Sequence, residues 1–346
     1  MAVNVPTSTQ TASAPAATAG RPGALAALTR WEVSIVVLSA LVLVVAALTI
    51  EGFGTSINAS FLVLDMAPVL LIALPLTFII MSGEIDLSVA STLGLSSAVM
   101  GWLWTQGYAI ETILPLCVVL GAVLGAVNGL FVTRFGLPSL AVTIGTLALY
   151  RGLALVVLGD QAVADFPAAF TSWVTGTIAG TAVPNLLPLL VLGAGVAVVV
   201  LHATPVGRAV VAAGASDTAA RFAGLRTLRL KFTLFVVSGT VSGLAGVLWT
   251  LRYSSARADN GSGLELAVVA AVLLGGVSIF GGKGTLPGVL AAVVLLTALQ
   301  NALRLENVSG EALTVVTGAL LIGSVLAPNV LRSLRQGLAR PAVPAR

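Results

Sequence analysis

Runs of about twenty mostly apolar residues recur along nearly the whole chain, and no other feature constrains the fold as strongly. The hydrocarbon core of a bilayer is about 30 Å thick and takes roughly 20 helical residues to cross. Ten stretches meet that test: 32–50, 61–81, 87–105, 112–133, 138–158, 183–203, 231–250, 265–281, 285–303 and 312–330. Lipid offers backbone N–H and C=O groups no partners, so each stretch is expected to be a helix. The expected fold class is therefore an all-α integral membrane bundle of about ten transmembrane helices. Composition agrees: 9% of residues are charged, against roughly 25% in soluble domains.

Charge placement orients the bundle. With the amino terminus inside, 13 of the 17 basic residues fall in cytoplasmic segments. Arg252, Arg257 and Arg304 lie outside, and Arg151 lies within a span. That asymmetry satisfies the positive-inside rule and puts both termini in the cytoplasm. Residues 1–30, rich in Ala, Thr, Ser and Pro, read as a disordered tail. Residues 31–331 read as the transmembrane domain and 332–346 as a second cytoplasmic tail. Val33–Ile50 reads as a retained signal-anchor rather than a cleaved signal.

Chemistry-bearing residues are sparse. Cys117 is the single cysteine and His202 the single histidine, so no metal cluster is expected. No Ser–His or carboxylate pair is placed for catalysis, so no catalytic residue is assigned and an enzyme is not expected. A proton-coupled symporter normally needs a mid-span carboxylate or histidine relay. Apart from Asp65, near the start of the second span, the spans' acidic residues sit at their ends.

The basic segment 204–231 carries paired helix signals. Thr204-Pro205 supplies an N-cap and a proline for the first helical position, and Gly214 can end that helix. Ser216 can cap a second helix from Asp217 to Ala223, with Gly224 as terminator. Two short helices joined by a glycine elbow are expected, lying along the inner membrane face. Two readings remain open: a docking surface for another protein, or a loop held by anionic headgroups.

The spacing of Gly207-Arg208, Gly214, Ala219-Ala220 and Gly224 resembles the coupling loop of ribose-type ABC sugar permeases. Gly83-Glu84-Ile85-Asp86-Leu87-Ser88 is similar to that family's Gly-Gly-Ile-Asp-Leu-Ser block, with Glu84 in place of a common glycine. Gly275-Gly276-Val277-Ser278-Ile279-Phe280-Gly281-Gly282-Lys283-Gly284-Thr285 is similar to its late glycine-rich block. Arg257–Gly261 and Gln300–Leu303 look most like the rhamnose branch, with autoinducer-2 permeases next.

The resemblance implies a type II importer permease of the bacterial inner membrane. Its implied partners are ABC ATPase subunits, a second permease subunit, identical or related, and an extracytoplasmic sugar-binding protein. ATP and Mg would sit on the ATPase subunits, with no cofactor on this chain. Gly207, Arg208, Gly214, Asp217, Ala219, Ala220 and Gly224 become the coupling positions.

Other features admit two readings each. Asp86, Ser88 and Thr92 can contact sugar, or can cap and stabilise their helix. Asn128 can bond between helices or line the pathway. Gln300, Asn301 and Asp259-Asn260 can meet the arriving sugar or simply be solvated. Gly121, Gly125 and Gly129 form a small-residue face for close helix packing. Arg151 is expected to pair with Asp160 or Asp165. Phe166, Phe170 and Trp173 are expected along the outer interface. Gly282-Lys283-Gly284-Thr285 is not a phosphate loop, because Val277 stands where that motif needs glycine and Gly284 where it needs Ser or Thr.

Overall fold

The computed structural model describes residues 31–179 and 181–338, with residues 324, 325 and 327–338 described by backbone alone. The 1–30 tail and residues 339–346 lie outside the described residues. The chain folds as helices α1 (Trp31–Thr49), α2 (Ser56–Met81), α3 (Val89–Thr105), α4 (Ile110–Arg134), α5 (Ser139–Leu158), α6 (Ala168–Thr175) and α7 (Leu186–Ala203). It continues through α8 (Pro205–Ala215), α9 (Asp217–Phe222), α10 (Thr227–Tyr253), α11 (Leu264–Leu274), α12 (Leu286–Leu305) and α13 (Gly310–Leu338). Among the described residues the extended pairings are isolated bridges, Val163 with Ala256 and Thr177 with Pro184.

Among the described residues, seven helices are long and apolar enough to cross a bilayer: α1, α2, α4, α5, α7, α10 and α12. The three other expected spans are realised differently. α3 has 17 residues and starts at Val89, after a non-helical joint at Gly83–Ser88. α11 has only 11 residues. It stops at Leu274 because Gly275 packs directly on the Val289 backbone and Gly276 adopts a φ of +92°. The expected helix over 265–281 is thus half helix and half glycine-rich turn. α13 is apolar over Gly310–Gly323 and runs on as helix to Leu338, past the expected boundary at 331.

α2 is the axis of the bundle. Every residue from Ala67 to Ser82 is buried, beneath α10, α12, α7 and α11. α1 buries only Ile35, Ser39 and Ala46, one stripe against α12, where Ser39 donates to the Ala291 carbonyl at 2.8 Å. Its remaining apolar surface faces outward, as a lipid-facing helix requires.

The closest packing is between α4 and α10. A Cβ at Gly121 would strike the Gly239 carbonyl, and one at Gly125 the Phe235 carbonyl. Reciprocally, a Cβ at Gly239 would strike Gly121 and one at Gly243 the Cys117 carbonyl. The expected small-residue face on α4 therefore meets a second one on α10. Lipid tails are as apolar as leucine, so backbone-to-backbone contact of this kind carries helix association in a membrane.

Candidate functional site

One end of the bundle gathers the segments bearing Arg134, Arg208, Arg221, Arg226, Arg229, Lys231 and Lys283; it is called here the basic end, and the opposite one the distal end. At the basic end the 204–226 segment folds as two short helices. The Thr204 hydroxyl caps α8 by accepting from Val206 N at 3.2 Å, with Pro205 at the first helical position. The Ser216 hydroxyl caps α9 by accepting from Ala219 N at 3.2 Å. Gly224, at φ +87°, ends the unit. The bend falls at Ser216, whose backbone is extended, and not at Gly214 as expected.

Gly214 is instead a contact residue. A Cβ there would collide with the Met81 carbonyl at the end of α2 and lie 2.5 Å from Gly282 N. Gly282 N itself donates to the Met81 carbonyl at 2.9 Å. Gly281 packs on Gly83 and on the Gly214 carbonyl. The three glycine-rich blocks, far apart in sequence, thus meet backbone to backbone. Gly207 permits a similar approach, since a Cβ there would enter the Leu201 carbonyl of α7.

An ion network laces the same junction. Lys231 Nζ lies 2.7 Å from Glu84 Oε1 and 3.4 Å from Asp217 Oδ1. Arg221 pairs with Asp217 at 2.7 Å and its Nε donates to the Thr227 hydroxyl at 3.0 Å. Partial burial opposes ionisation of Asp217, but Thr227, Lys231 and Arg221 together outweigh it and hold the carboxyl below its ordinary value. The acid at position 84 thus has a defined partner in α10. Of the remaining coupling positions, Ala220 is buried, while Ala219 and Arg208 are exposed. Two aromatic side chains protrude from this end: Phe222 on α9, 89% exposed, and Phe280 beside Gly281, 88% exposed.

Behind the junction lies a buried polar network built on the α2–α3 joint. Asp86 accepts from Ser88 N at 3.0 Å, from the Ser88 hydroxyl at 2.6 Å and from the Ser238 hydroxyl at 3.1 Å. Asn128 Nδ2 donates to Ser88 Oγ at 2.7 Å, and Tyr150 donates to Asn128 Oδ1 at 3.3 Å. The Ser139 hydroxyl accepts from Ile85 N at 3.1 Å. Asp86, Ser88 and Asn128 are therefore one cluster joining α3, α4, α5 and α10. Thr92 lies buried one turn beyond, its N–H bonded to the Ser88 carbonyl at 2.8 Å. Sequence reasoning missed Ser139, Tyr150, Ser238 and Lys231, which come from other segments.

Toward the distal end, Arg151 Nη1 donates to the carbonyls of Ala258 and Asn260, each at 2.9 Å. This replaces the expected pairing with Asp160 or Asp165: backbone carbonyls of the 254–263 loop reach the guanidinium first. Gly94 makes room, since a Cβ there would lie 2.6 Å from Arg151 Nη1. Asn260 turns inward and donates to Ser97 Oγ at 2.8 Å, while Asp259 stays exposed, paired with Arg257 at 3.0 Å. Gln300 and Asn301 part company. Gln300 donates to the Thr317 hydroxyl at 3.1 Å, whereas Asn301 accepts from Asn58 at 2.9 Å on the α2 side. Asp65 is paired with Arg252 and, at 3.5 Å, with Arg304. Of the three aromatics expected along the outer interface, Phe166 is buried, stacked 5.9 Å from Trp104, and Trp173 is exposed.

A family model described as "Branched-chain amino acid transport system / permease component" matches residues 58–325. The chain belongs to this permease family. The "Autoinducer 2 import system permease protein LsrD" of Yersinia pseudotuberculosis serotype O:1b (strain IP 31758) is 31% identical over 306 residues, covering 87% of this chain and 91% of the relative. LsrD of Yersinia pestis (strain Pestoides F) matches with the same identity and coverage. No solved structure matches the chain. The ribose-type ABC permease membership implied by the three glycine-rich blocks is thereby established, and with it a multi-pass membrane protein of a sugar-importer permease family. The matched segment takes in all three blocks, and with them the residues that meet at the basic end.

Proposed function

We propose that the chain forms the translocation pathway of an ATP-driven sugar importer, with its basic end in the cytoplasm and α8–α9 docked on an ATPase subunit. The observation that carries this reading is the wedge at Gly214. The elbow touches the end of α2 and the turn after α11 through backbone, not through flexible side chains. Lys231 ties α9 to the α2–α3 joint as well. Movement of the elbow therefore reaches both interrupted spans at once.

Both termini are cytoplasmic in this arrangement. α3, α11 with its glycine-rich turn, and α13 complete ten crossings. At 1.5 Å per residue, α11 covers roughly 16 Å, about half the hydrocarbon core, and the turn covers the rest. ATP and Mg belong to the ATPase, whose binding energy favours one state of the bundle only through contacts that differ between states. Gly207, Arg208, Asp217, Ala219, Ala220 and Gly224 form or present the docking unit, and Phe222 and Phe280 are its knobs. Asp86, Ser88, Thr92 and Asn128 switch with the joint they hold.

A second permease subunit and an extracytoplasmic binding protein complete the assembly. The substrate is a small sugar. A rhamnose-like one is supported by Arg257–Gly261 and Gln300–Leu303, and autoinducer-2 equally by the names of the relatives. Purification in mild detergent tests the docking surface. Wild-type chain should retain an ATPase subunit, and Phe222→Asp should lose it while eluting as the same monodisperse permease. Retention of the ATPase by both Phe222→Asp and Phe280→Asp would overturn the assignment.

A further inference from the structure

Between α10, α11, α12 and α13, at the distal end, lies a cavity of about 350 Å³. Small-molecule sites begin near 300 Å³, so this one suits a ligand of one sugar ring. Trp249 supplies an aromatic wall, and Gln300, Arg304, Thr314 and Thr317 supply polar groups. A larger cleft of about 610 Å³ beneath α6 is walled almost wholly by apolar and aromatic side chains.

Of the smaller cavity's polar groups, Arg304 pairs with Asp65 at 3.5 Å and the Thr314 hydroxyl donates to the Gly310 carbonyl at 3.1 Å. Thr317 donates to the Leu313 carbonyl at 2.9 Å and accepts from Gln300 Nε2 at 3.1 Å, which fixes the orientation of the amide. Among the described residues, the Gln300 carbonyl oxygen and the Trp249 indole N–H have no hydrogen-bond partner. An aromatic side chain beside a fixed acceptor, the Gln300 carbonyl oxygen, and a free donor, the indole N–H, is chemistry suited to a pyranose or furanose.

We infer that this cavity binds a monosaccharide at the distal mouth of the permease, before the sugar passes inward. The choice of ligand rests on the importer reading. The test uses Thr314→Cys, an exposed position on the cavity wall. The native thiol, Cys117, is buried and silent. In lipid nanodiscs, L-rhamnose or D-ribose should slow modification of this cysteine by a polar maleimide. The slowing follows mass action, about threefold at twice Kd. Phe135→Cys, 62% exposed at the basic end of α4, should label at an unchanged rate. Gln300→Leu or Trp249→Leu, added to Thr314→Cys, should abolish the protection.

Labelling at Thr314→Cys that neither sugar slows would overturn the inference, as would protection that survives both added substitutions. Retention of the ATPase is scored separately on the same preparation. Retention without protection sinks the cavity alone, and protection without retention sinks the docking reading alone.

Discussion

Gly214 has a backbone conformation open to any residue, yet the space at its Cα is filled by the Met81 carbonyl and Gly282 N. Gly214→Ala must push the elbow off the bundle, at about 1–3 kcal/mol by analogy with overpacked cores. Uptake should fall at least as far as stability, measured as transport against thermal unfolding of the purified chain. Glu84 and Lys231 make a sharper test, since both side chains are largely buried. Lys231→Met leaves Glu84 without its partner and should destabilise by roughly 2–3 kcal/mol. Adding Glu84→Gln to Lys231→Met should recover part of that loss in a double-mutant cycle.

Asp217 predicts a pH dependence of definite sign. Its folded-state carboxyl titrates below the ordinary 3.8. Its contribution is therefore complete above that value and is lost as pH falls through the folded-state value. The melting difference between wild type and Asp217→Asn should be constant near neutrality and shrink toward strong acid. Of these residues, Gly214 and Asp217 were legible in the sequence through paired caps and family spacing. Lys231 was not: it reads as one more basic loop residue until the fold sets it between two carboxylates.

At the scale of elements, the seven long helices were legible because an unbroken apolar run has one solution in lipid. The interrupted segments were not, because hydropathy continues through glycine-rich turns that do not stay helical: α11 and the turn after it share one apolar run. The α4 glycine face was readable from its four-residue spacing. Its counterpart on α10, Gly239 and Gly243, has the same four-residue spacing, and only the packing shows that the two faces meet. Gly125→Leu or Gly239→Val should abolish membrane-integrated, monodisperse protein. Gly145→Ala, on α5 with open space around it, should sit within about 1 kcal/mol of wild type and on the stabilising side. Size-exclusion profiles after detergent extraction separate the two outcomes.

At the scale of the whole molecule, the permease concentrates rigid backbone contact at its basic end and buried polar side chains just behind it. The sequence places the chemistry-bearing residues in separate segments, and only the packing shows that Asp86, Asn128 and Ser238 form one cluster. Gly282-Lys283-Gly284-Thr285 belongs to a turn in which Ser278 N donates to the Lys283 carbonyl and Gly282 N to the Met81 carbonyl, each at 2.9 Å. The measurement that bears most directly on this account is uptake of labelled sugar into proteoliposomes holding the chain with and without its ATPase and binding protein. Accumulation should occur only with both partners and ATP, and should vanish in Gly214→Val while the protein remains inserted. Accumulation by the chain alone, collapsed by a protonophore, would contradict it.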